Sequence, residues 1–233
     1  MMMNITSNKV WLLLLGSMLL LISTALLHAE TSSQLDEPKI INALYSHYGE
    51  RAAKRGQAWF DMMKESDHLT ASEKIQNVND FFNLLHFVDD IKLWGDKNYW
   101  ATPIEFIGAN GGDCEDFAIA KYFTLLELGI ADQKMRIMMV KALTLNQYHM
   151  VVAYYKTPSS VPEILDNIDG KIKLASQRTD LVPIYSFNGK QLWLNKVKGQ
   201  GVLAGSSARL KQWTNLNQRL RVSNMKQPKL RME

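Results

Sequence analysis

The stretch Gly111-Gly112-Asp113-Cys114-Glu115-Asp116-Phe117-Ala118 joins a glycine break, the only cysteine of the chain and the start of an apolar helical pattern. The apolar residues recur at helical spacing as far as Leu128, and Gly129 is suited to end the helix. Because Cys114 lies where this helix begins, unpaired backbone N–H groups and the helix dipole favour a thiolate there. Acids on both sides disfavour a buried, inert cysteine. The stretch therefore indicates a reactive thiol at the start of a buried helix.

The hydrophobic period differs on the two sides of this helix. Residues 38–86 carry apolar side chains at helical spacing, with a capping box at Thr70-Ala71-Ser72-Glu73. Residues 135–143 and 148–155 are instead rich in β-branched and aromatic residues, and Asn188-Gly189 is a strong hairpin signal. Helices followed by an antiparallel sheet predict an α+β fold.

The C-terminal part is strongly basic. Residues 190–233 contain ten Lys or Arg and a single acid, Glu233. Residues 206–221 form a candidate amphipathic helix with Leu210, Trp213, Leu216 and Leu220 on one face. We expect a solvated helix face and a frayed tail here. Docking to an acidic protein or to anionic lipid is the alternative.

Residues 1–29 have the composition of an export signal. Lys9 precedes an apolar run over residues 10–27, and Ala29 offers a small residue for cleavage. The run is also long enough for a retained membrane anchor. Polar residues dilute it, so we expect cleavage after Ala29 and one domain over residues 30–233, with no membrane span left. This domain would lie outside the cytosol.

Charge and cysteine content exclude several classes of protein. The chain has 27 basic and 23 acidic side chains, a formal charge of +4, which is not the balance of a nucleic-acid-binding protein. With one cysteine no disulfide can form within the chain, so the fold relies on packing alone. An unpaired cysteine in an exported protein indicates either a reactive thiol or pairing with another molecule.

A reactive thiolate needs a base, and histidine is the usual one. Of the five histidines, His149 lies near the start of a buried strand, although a structural histidine is equally compatible with that position. A carboxylate should orient the imidazole. Asp166 follows the next strand-like stretch, but Asp166-Asn167 also suits a turn. Glu163 and Asp169 are competitors that spacing does not exclude.

These motifs resemble those of the bacterial transglutaminase-like cysteine proteinases. The resemblance rests on residues 112–122 around the thiol, residues 99–106 upstream, Tyr148-His149-Met150-Val151 and Leu165-Asp166-Asn167. It covers essentially all of residues 30–233. It implies a papain-like or transglutaminase-like core in which N-terminal helices precede an antiparallel sheet.

The resemblance also implies roles for three residues. Cys114 would be the nucleophile, His149 the general base and acid, and Asp166 the carboxylate that orients the imidazole. The implied reaction is hydrolysis of a peptide bond through a thioester acyl-enzyme. Other acyl transfers by the same three residues, such as protein crosslinking or cleavage of cell-wall peptides, are alternatives. A non-catalytic periplasmic binding module is an alternative of another class.

A biological role is implied as well. Proteinases of this kind are periplasmic and cut a very large surface adhesin near its N-terminus, which releases the adhesin and disperses biofilm. A membrane receptor restrains them, because its periplasmic domain sequesters the protease when its cytoplasmic part binds cyclic di-GMP. The expected partners are therefore the adhesin and this receptor.

Asp113, Glu115 and Asp116 pose a physical problem, because negative charges beside a thiol raise its pKa. Acids in the first turn of a helix are stabilising, by about 0.3–1 kcal/mol each, but this does not explain why a catalytic cysteine tolerates three. A bound cation resolves the conflict, and carboxylate oxygens suit Ca²⁺. The resemblance implies calcium dependence, with Asp113 and Glu115 as ligands and Asp116 as a further candidate. Backbone carbonyls or waters must complete the shell.

An aromatic segment precedes the cysteine motif. Trp94 and Trp100 delimit it, and such side chains are more often core than site. Either could instead line a substrate groove near the thiol. Thr102-Pro103 then predicts the start of a short helix.

Overall fold

The computed structural model describes residues 35–195, 201–220 and 224–232. Its α-helices are α1 (Glu37–Tyr48), α2 (Glu50–Ser66), α3 (Ala71–Phe82), α4 (Asp90–Leu93), α5 (Pro103–Ala109), α6 (Cys114–Glu127) and α7 (Lys211–Arg219). Its strands are β1 (His86–Phe87), β2 (Gly111–Gly112), β3 (Met135–Ala142), β4 (Gln147–Tyr154), β5 (Glu163–Leu165), β6 (Lys173–Leu174), β7 (Leu181–Phe187), β8 (Gln191–Leu194) and β9 (Val202–Ser206). The expected signal, residues 1–29, lies outside the described residues. Across the described ranges, no helix combines the length and apolar character that a membrane crossing needs.

Capping side chains fix where the N-terminal helices begin. The Asp36 carboxylate accepts a hydrogen bond from the Lys39 N–H at the start of α1. Thr70 and Glu73 form the predicted capping box of α3, with the Thr70 N–H 2.9 Å from Glu73 Oε2. Thr102 opens α5 in the same way. These bonds satisfy N–H groups that a helix leaves unpaired in its first turn.

An antiparallel sheet forms the second half of the chain, in the strand order β6-β5-β4-β3-β7-β8-β9 within the described residues. Every pair of neighbouring strands in it is antiparallel. Helix α6 contacts β3 and β4 as well as α3 and α5. Ile119, Ala120 and Leu125 of α6 are fully buried. The predicted α+β class, with helices before an antiparallel sheet, is confirmed.

The strands agree closely with the sequence patterns. β3 and β4 cover the stretches predicted over residues 135–143 and 148–155, and β7 and β8 are joined at Asn188-Gly189. The predicted helix over residues 206–221 is wrong at its start. Val202–Ser206 instead pairs with β8, and a 3₁₀ turn at Ser207–Arg209 follows before α7 begins.

The C-terminal segment also departs from expectation. Residues 224–232 are not a frayed tail but pack along the N-terminal helices. The Tyr48 hydroxyl donates to the Lys226 carbonyl at 2.7 Å, and the Lys229 N–H donates to the Leu93 carbonyl at 2.7 Å. Gln227 donates to the His47 carbonyl. Lys226 and Lys229 therefore belong to a docked segment.

Candidate active site

Cys114 is the first residue of α6, as the sequence predicts. β2 ends one residue before Asp113 and pairs in parallel with β1. A Cβ atom at Gly111 would clash with the backbone oxygen of His86, and one at Gly112 with the carboxylate of Asp116. Only glycine therefore lets the backbone at these two positions come this close to His86 and Asp116. The β1–β2 pairing fixes where the cysteine helix begins.

His149 and Asp166 form a buried pair. They belong to adjacent antiparallel strands, since His149 lies in β4 and Asp166 directly follows β5. His149 Nε2 lies 2.7 Å from Asp166 Oδ1. The same Asp166 oxygen accepts the Ile168 N–H at 2.9 Å. Imidazole and carboxylate are therefore held in one fixed relative orientation.

The competing carboxylates have other partners. Glu163 pairs with Lys156 at 2.9 Å, and Asp169 pairs with Lys173 at 2.7 Å. The structure thus brings Asp166, and neither competitor, to the imidazole of His149.

The thiol lies against the strand that carries His149. The backbone of Met150 hydrogen-bonds the Cys114 sulfur, and the half-buried thiol itself donates to Glu115 Oε2 at 3.2 Å. Burial, followed by the charges of Glu115 and Asp113, raises the pKa of Cys114 well above its ordinary value. Without a compensating cation, the surroundings of this sulfur keep it protonated.

Four acids surround the start of α6. Ligand atoms of Asp113, Cys114 and Glu115 lie within 4.8 Å of one another, and so do carboxylate oxygens of Asp90, Asp113 and Asp116. Burial is the main reason why the pKa of Asp113 rises to about 11, that of Asp90 to about 7, and that of Asp116 well above its ordinary value. Neighbouring acids add to each rise. The cluster is therefore unfavourable as a set of free carboxylates.

The donor atoms of this cluster fit a hard cation. Oδ1 of Asp90 and Oδ1 of Asp113 are buried without a hydrogen-bond partner, and Asp90 is only 3% exposed. Buried polar atoms are normally satisfied, so two unpaired oxygens at one point indicate a missing partner. Oxygen donors of this kind suit Ca²⁺. The acidic cluster is thus able to hold a metal ion.

Backbone N–H groups orient two of these acids. The Ala101 N–H donates to Asp116 Oδ1 at 2.7 Å, and the Asp113 N–H donates to Asp116 Oδ2 at 3.3 Å. The Tyr99 N–H donates to Asp90 Oδ2 at 2.5 Å. Asp116 accordingly also caps α6, which the sequence did not indicate.

Sequence reasoning missed Asp90 and Arg178. Arg178 is 5% exposed, and its Nη2 lies 2.8 Å from Asp166 Oδ2, an ion pair rather than an aligned hydrogen bond. Nε and Nη2 of Arg178 also donate to the two carboxylate oxygens of Asp180, at 3.0 and 2.8 Å. Burial opposes ionisation of Asp166, but His149, the Ile168 N–H and Arg178 outweigh it and bring the pKa of Asp166 to about 2. Asp166 is therefore an anion at any physiological pH.

The two tryptophans near the site belong to the core. Trp94 is 1% exposed and Trp100 is 6% exposed. The Trp100 ring stacks on Phe187, with ring centroids 5.8 Å apart. Neither offers an exposed surface to a substrate, which bears out the core interpretation over the groove-lining alternative.

Comparisons with known proteins agree with this fold. The model of the bacterial transglutaminase-like cysteine proteinase family (BTLCP) matches residues 43–196. Legionella pneumophila LapG in its EGTA-treated form is 39% identical, over 80% of this chain and 98% of that chain, with a TM-score of 0.71. The calcium-bound form of Legionella pneumophila LapG is 40% identical, over 80% of this chain and 100% of that chain, with a TM-score of 0.70. A search of curated proteins finds no match. Since the family match spans well over half of its length, the chain belongs to the bacterial transglutaminase-like cysteine proteinases.

Proposed function

We propose that this chain is a calcium-dependent endopeptidase in which Cys114 is the nucleophile, His149 the general base and acid, and Asp166 the orienting carboxylate. The observation that carries the proposal is the buried hydrogen bond between His149 and Asp166, because the strand that holds His149 also bonds the Cys114 sulfur through its backbone. A nucleophile, a base and a carboxylate behind the base are the minimum that covalent acyl transfer requires.

The hydrogen bond between His149 and Asp166 assigns a different role to each of the two imidazole nitrogens. Because Nε2 of His149 is bonded to Asp166, Nδ1 is left to exchange a proton with the Cys114 thiol. The thiolate then attacks the scissile carbonyl carbon, and the imidazolium returns its proton to the departing amine. The resulting thioester is hydrolysed by a water molecule that His149 deprotonates, which frees the carboxylate product and the thiol. Asp166 remains ionised throughout and stabilises the imidazolium.

The acids around Cys114 would hold Ca²⁺. We assign Asp113, Glu115 and Asp116 as ligands and add Asp90, whose buried oxygen lacks a partner. The bound cation would supply the positive charge that lets these carboxylates ionise and lowers the pKa of the thiol. Similarity to Legionella pneumophila LapG, solved in calcium-bound and EGTA-treated forms, supports this assignment.

We further propose that residues 1–29 direct export and that residues 30–233 form the mature domain in the periplasm. Its substrate would be a very large surface adhesin cut near the adhesin N-terminus, so that cleavage releases the adhesin and promotes biofilm dispersal. A receptor that responds to cyclic di-GMP would sequester the protease through its periplasmic domain. The export-like N-terminus and the similarity to LapG support this proposal.

The direct test mixes the purified protein with an N-terminal adhesin fragment, with calcium or with EGTA. We expect defined cleavage by the wild type in calcium, and none by Cys114→Ala or in EGTA. Cys114→Ala should still bind the receptor domain. Crosslinked fragment or cut cell-wall peptides, without cleavage of the adhesin, would point to another acyl transfer. Binding of the fragment without any covalent change would point to a binding module.

A further inference from the structure

A buried carboxylate joins the basic C-terminal part to the rest of the molecule. Glu105 of α5 is 0% exposed. Its Oε2 accepts the Arg219 guanidinium at 2.9 Å, and its Oε1 accepts the Lys226 N–H at 2.8 Å and the Tyr99 hydroxyl at 2.6 Å. A buried charge needs such partners, because a carboxylate left unpaired in the interior is strongly destabilising. The Arg219 guanidinium and the Lys226 backbone therefore both bond to this one buried carboxylate.

The same partners grip the segment Tyr99–Thr102. The Arg219 guanidinium donates to the Tyr99 hydroxyl and to the Trp100 carbonyl, and lies 4.4 Å from the Tyr99 ring centroid. The Lys226 ammonium lies 4.2 Å from that centroid. The Thr102 N–H donates to Glu105. Each residue from 99 to 102 except Ala101 is thus held by Glu105, Arg219 or Lys226.

Two backbone N–H groups of this segment reach the acidic cluster. The Tyr99 N–H donates to Asp90 and the Ala101 N–H donates to Asp116. We call Glu105, Arg219 and Lys226 the C-terminal clamp. The segment Tyr99–Thr102 is therefore bonded both to this clamp and to two acids of the cluster. A shift of the segment would move both N–H donors relative to their carboxylates.

We propose that the C-terminal clamp positions the calcium ligands, so that Arg219 and the Lys226 backbone set the calcium affinity from outside the site. This inference rests on the proposed calcium site. Groups that hydrogen-bond a metal ligand fix its orientation, and losing one typically costs about 10–100-fold in metal affinity. Arg219 and Lys226 touch neither the ion nor the thiol in this scheme, so they are positioning residues. The basic C-terminal residues thereby acquire a role other than solvation.

Two variants remove the clamp in different ways. Arg219→Met keeps the aliphatic stem but removes the guanidinium from Glu105, Tyr99 and Trp100. Lys226→Pro removes both the N–H that Glu105 accepts and the ammonium. Lys226→Ala is the matched control, because it retains the N–H. Arg209→Met is the second control, since the Arg209 guanidinium donates to the Ala204 carbonyl of β9 instead.

The measurement is the calcium dissociation constant of the full chain by isothermal titration, with circular dichroism and the melting temperature in EGTA recorded for every variant. We expect Arg219→Met and Lys226→Pro to raise the dissociation constant by up to about tenfold, because they loosen the backbone that carries the two N–H donors without removing those donors. Arg209→Met should stay near the wild type, and Lys226→Ala should raise the dissociation constant less than Lys226→Pro does. If Arg219→Met does not fold, the comparison of Lys226→Pro with Lys226→Ala decides.

A merely structural role predicts a different result. It would lower the melting temperature in EGTA while leaving the dissociation constant of the folded protein unchanged, and that outcome would overturn the inference. A wild type that binds no calcium would instead overturn the proposed calcium site, and the inference with it. The two failures are therefore distinguishable in one experiment.

Discussion

Nε2 of His149 and Oδ1 of Asp166 lie 2.7 Å apart, and the two side chains are 1% and 0% exposed. Both partners are shielded from water, so the Asp166 carboxylate is the hydrogen-bond partner that orients the imidazole. Arg178 on the second oxygen of Asp166 adds a cation that keeps the carboxylate ionised. The pair therefore fixes both the direction and the proton arrangement of the ring.

Replacing Asp166 tests that dependence. Asp166→Asn keeps the size of the side chain but removes the anion that favours the reactive tautomer and the imidazolium, so we expect kcat/KM to fall on the order of 10²–10⁴-fold. Asp169→Asn is the matched control, because this acid pairs with Lys173 at the surface and should be nearly silent. Steady-state cleavage of the adhesin fragment measures both. Equal losses in the two variants would contradict the assignment.

The pKa of Asp166 gives a pH dependence of stability with a defined sign. The folded value of about 2 lies below the ordinary value of 3.8, so ionised Asp166 stabilises the fold above about pH 4, and this stabilisation is lost as pH falls toward 2. This difference in pKa corresponds to roughly 2 kcal/mol of unfolding free energy. Denaturant unfolding of wild type and Asp166→Asn should show a gap in unfolding free energy that is constant near neutrality. That gap should shrink only between about pH 4 and 2.

A gap that changed mainly near neutral pH would contradict this prediction. It would mean that the titrating group is not the Asp166 carboxylate. Asp89→Asn serves as the control here, because the Asp89 side chain is 56% exposed and its ion pair with Lys92 lies at the surface.

Local sequence patterns predicted Cys114 and His149 as candidates, but they left Asp166 open beside Glu163 and Asp169, and the family resemblance was needed to choose it. Cys114 lies at a helix start two residues after a double glycine, His149 lies in a strand, and Asp166 directly follows the next strand. Hydrophobic period and turn chemistry within a few residues predict where these positions lie relative to the helices and strands, but not the chemical role of each side chain. Antiparallel pairing of neighbouring strands then brings the second and third together.

Asp90 and Arg178 could not be found in this way. Asp90 reaches the cluster because Val88 bonds to Gly112 across the short parallel β1–β2 pair, which leaves no periodic signal in the sequence. Arg178 follows a 3₁₀ turn and reaches Asp166 only through tertiary packing. Likewise, the ten basic residues of the polar C-terminal stretch predict a solvated tail. Only the tertiary structure shows that Arg219 of this stretch bonds to the buried Glu105.

Calcium affinity should rise with pH. Burial raises the pKa of Asp90 to about 7 and that of Asp113 to about 11, so the cation-free fold holds protons that the unfolded chain has released. This contribution to stability is complete below about pH 4 and is lost as pH rises through the folded values. Calcium needs the deprotonated ligands, so the dissociation constant should fall between about pH 5.5 and 8, with release of protons. Titration calorimetry in two buffers of different ionisation enthalpy measures both effects.

The matched variants for that experiment are Asp90→Asn and Asp89→Asn. Asp90 supplies a buried unpaired oxygen, whereas Asp89 is exposed and pairs with Lys92. We expect Asp90→Asn to weaken calcium binding at least tenfold, on the scale seen when a metal site loses a supporting group, and Asp89→Asn to leave it unchanged. Wild-type affinity in Asp90→Asn would remove Asp90 from the ligand set.

Thiol reactivity should report the state of the acidic cluster directly. Cys114 is the only cysteine, so alkylation by iodoacetamide reads one site. Burial and the charges of Glu115 and Asp113 raise its pKa in the absence of a cation, so alkylation near pH 7 should be slow in EGTA and faster in calcium. Glu115→Gln removes the acid that the thiol contacts and should speed alkylation in EGTA, while Glu127→Gln, at the far end of the same helix, should not. Equal rates in EGTA and calcium for the wild type would show that the cation does not control the thiol, and the acids beside Cys114 would then serve only to cap the helix.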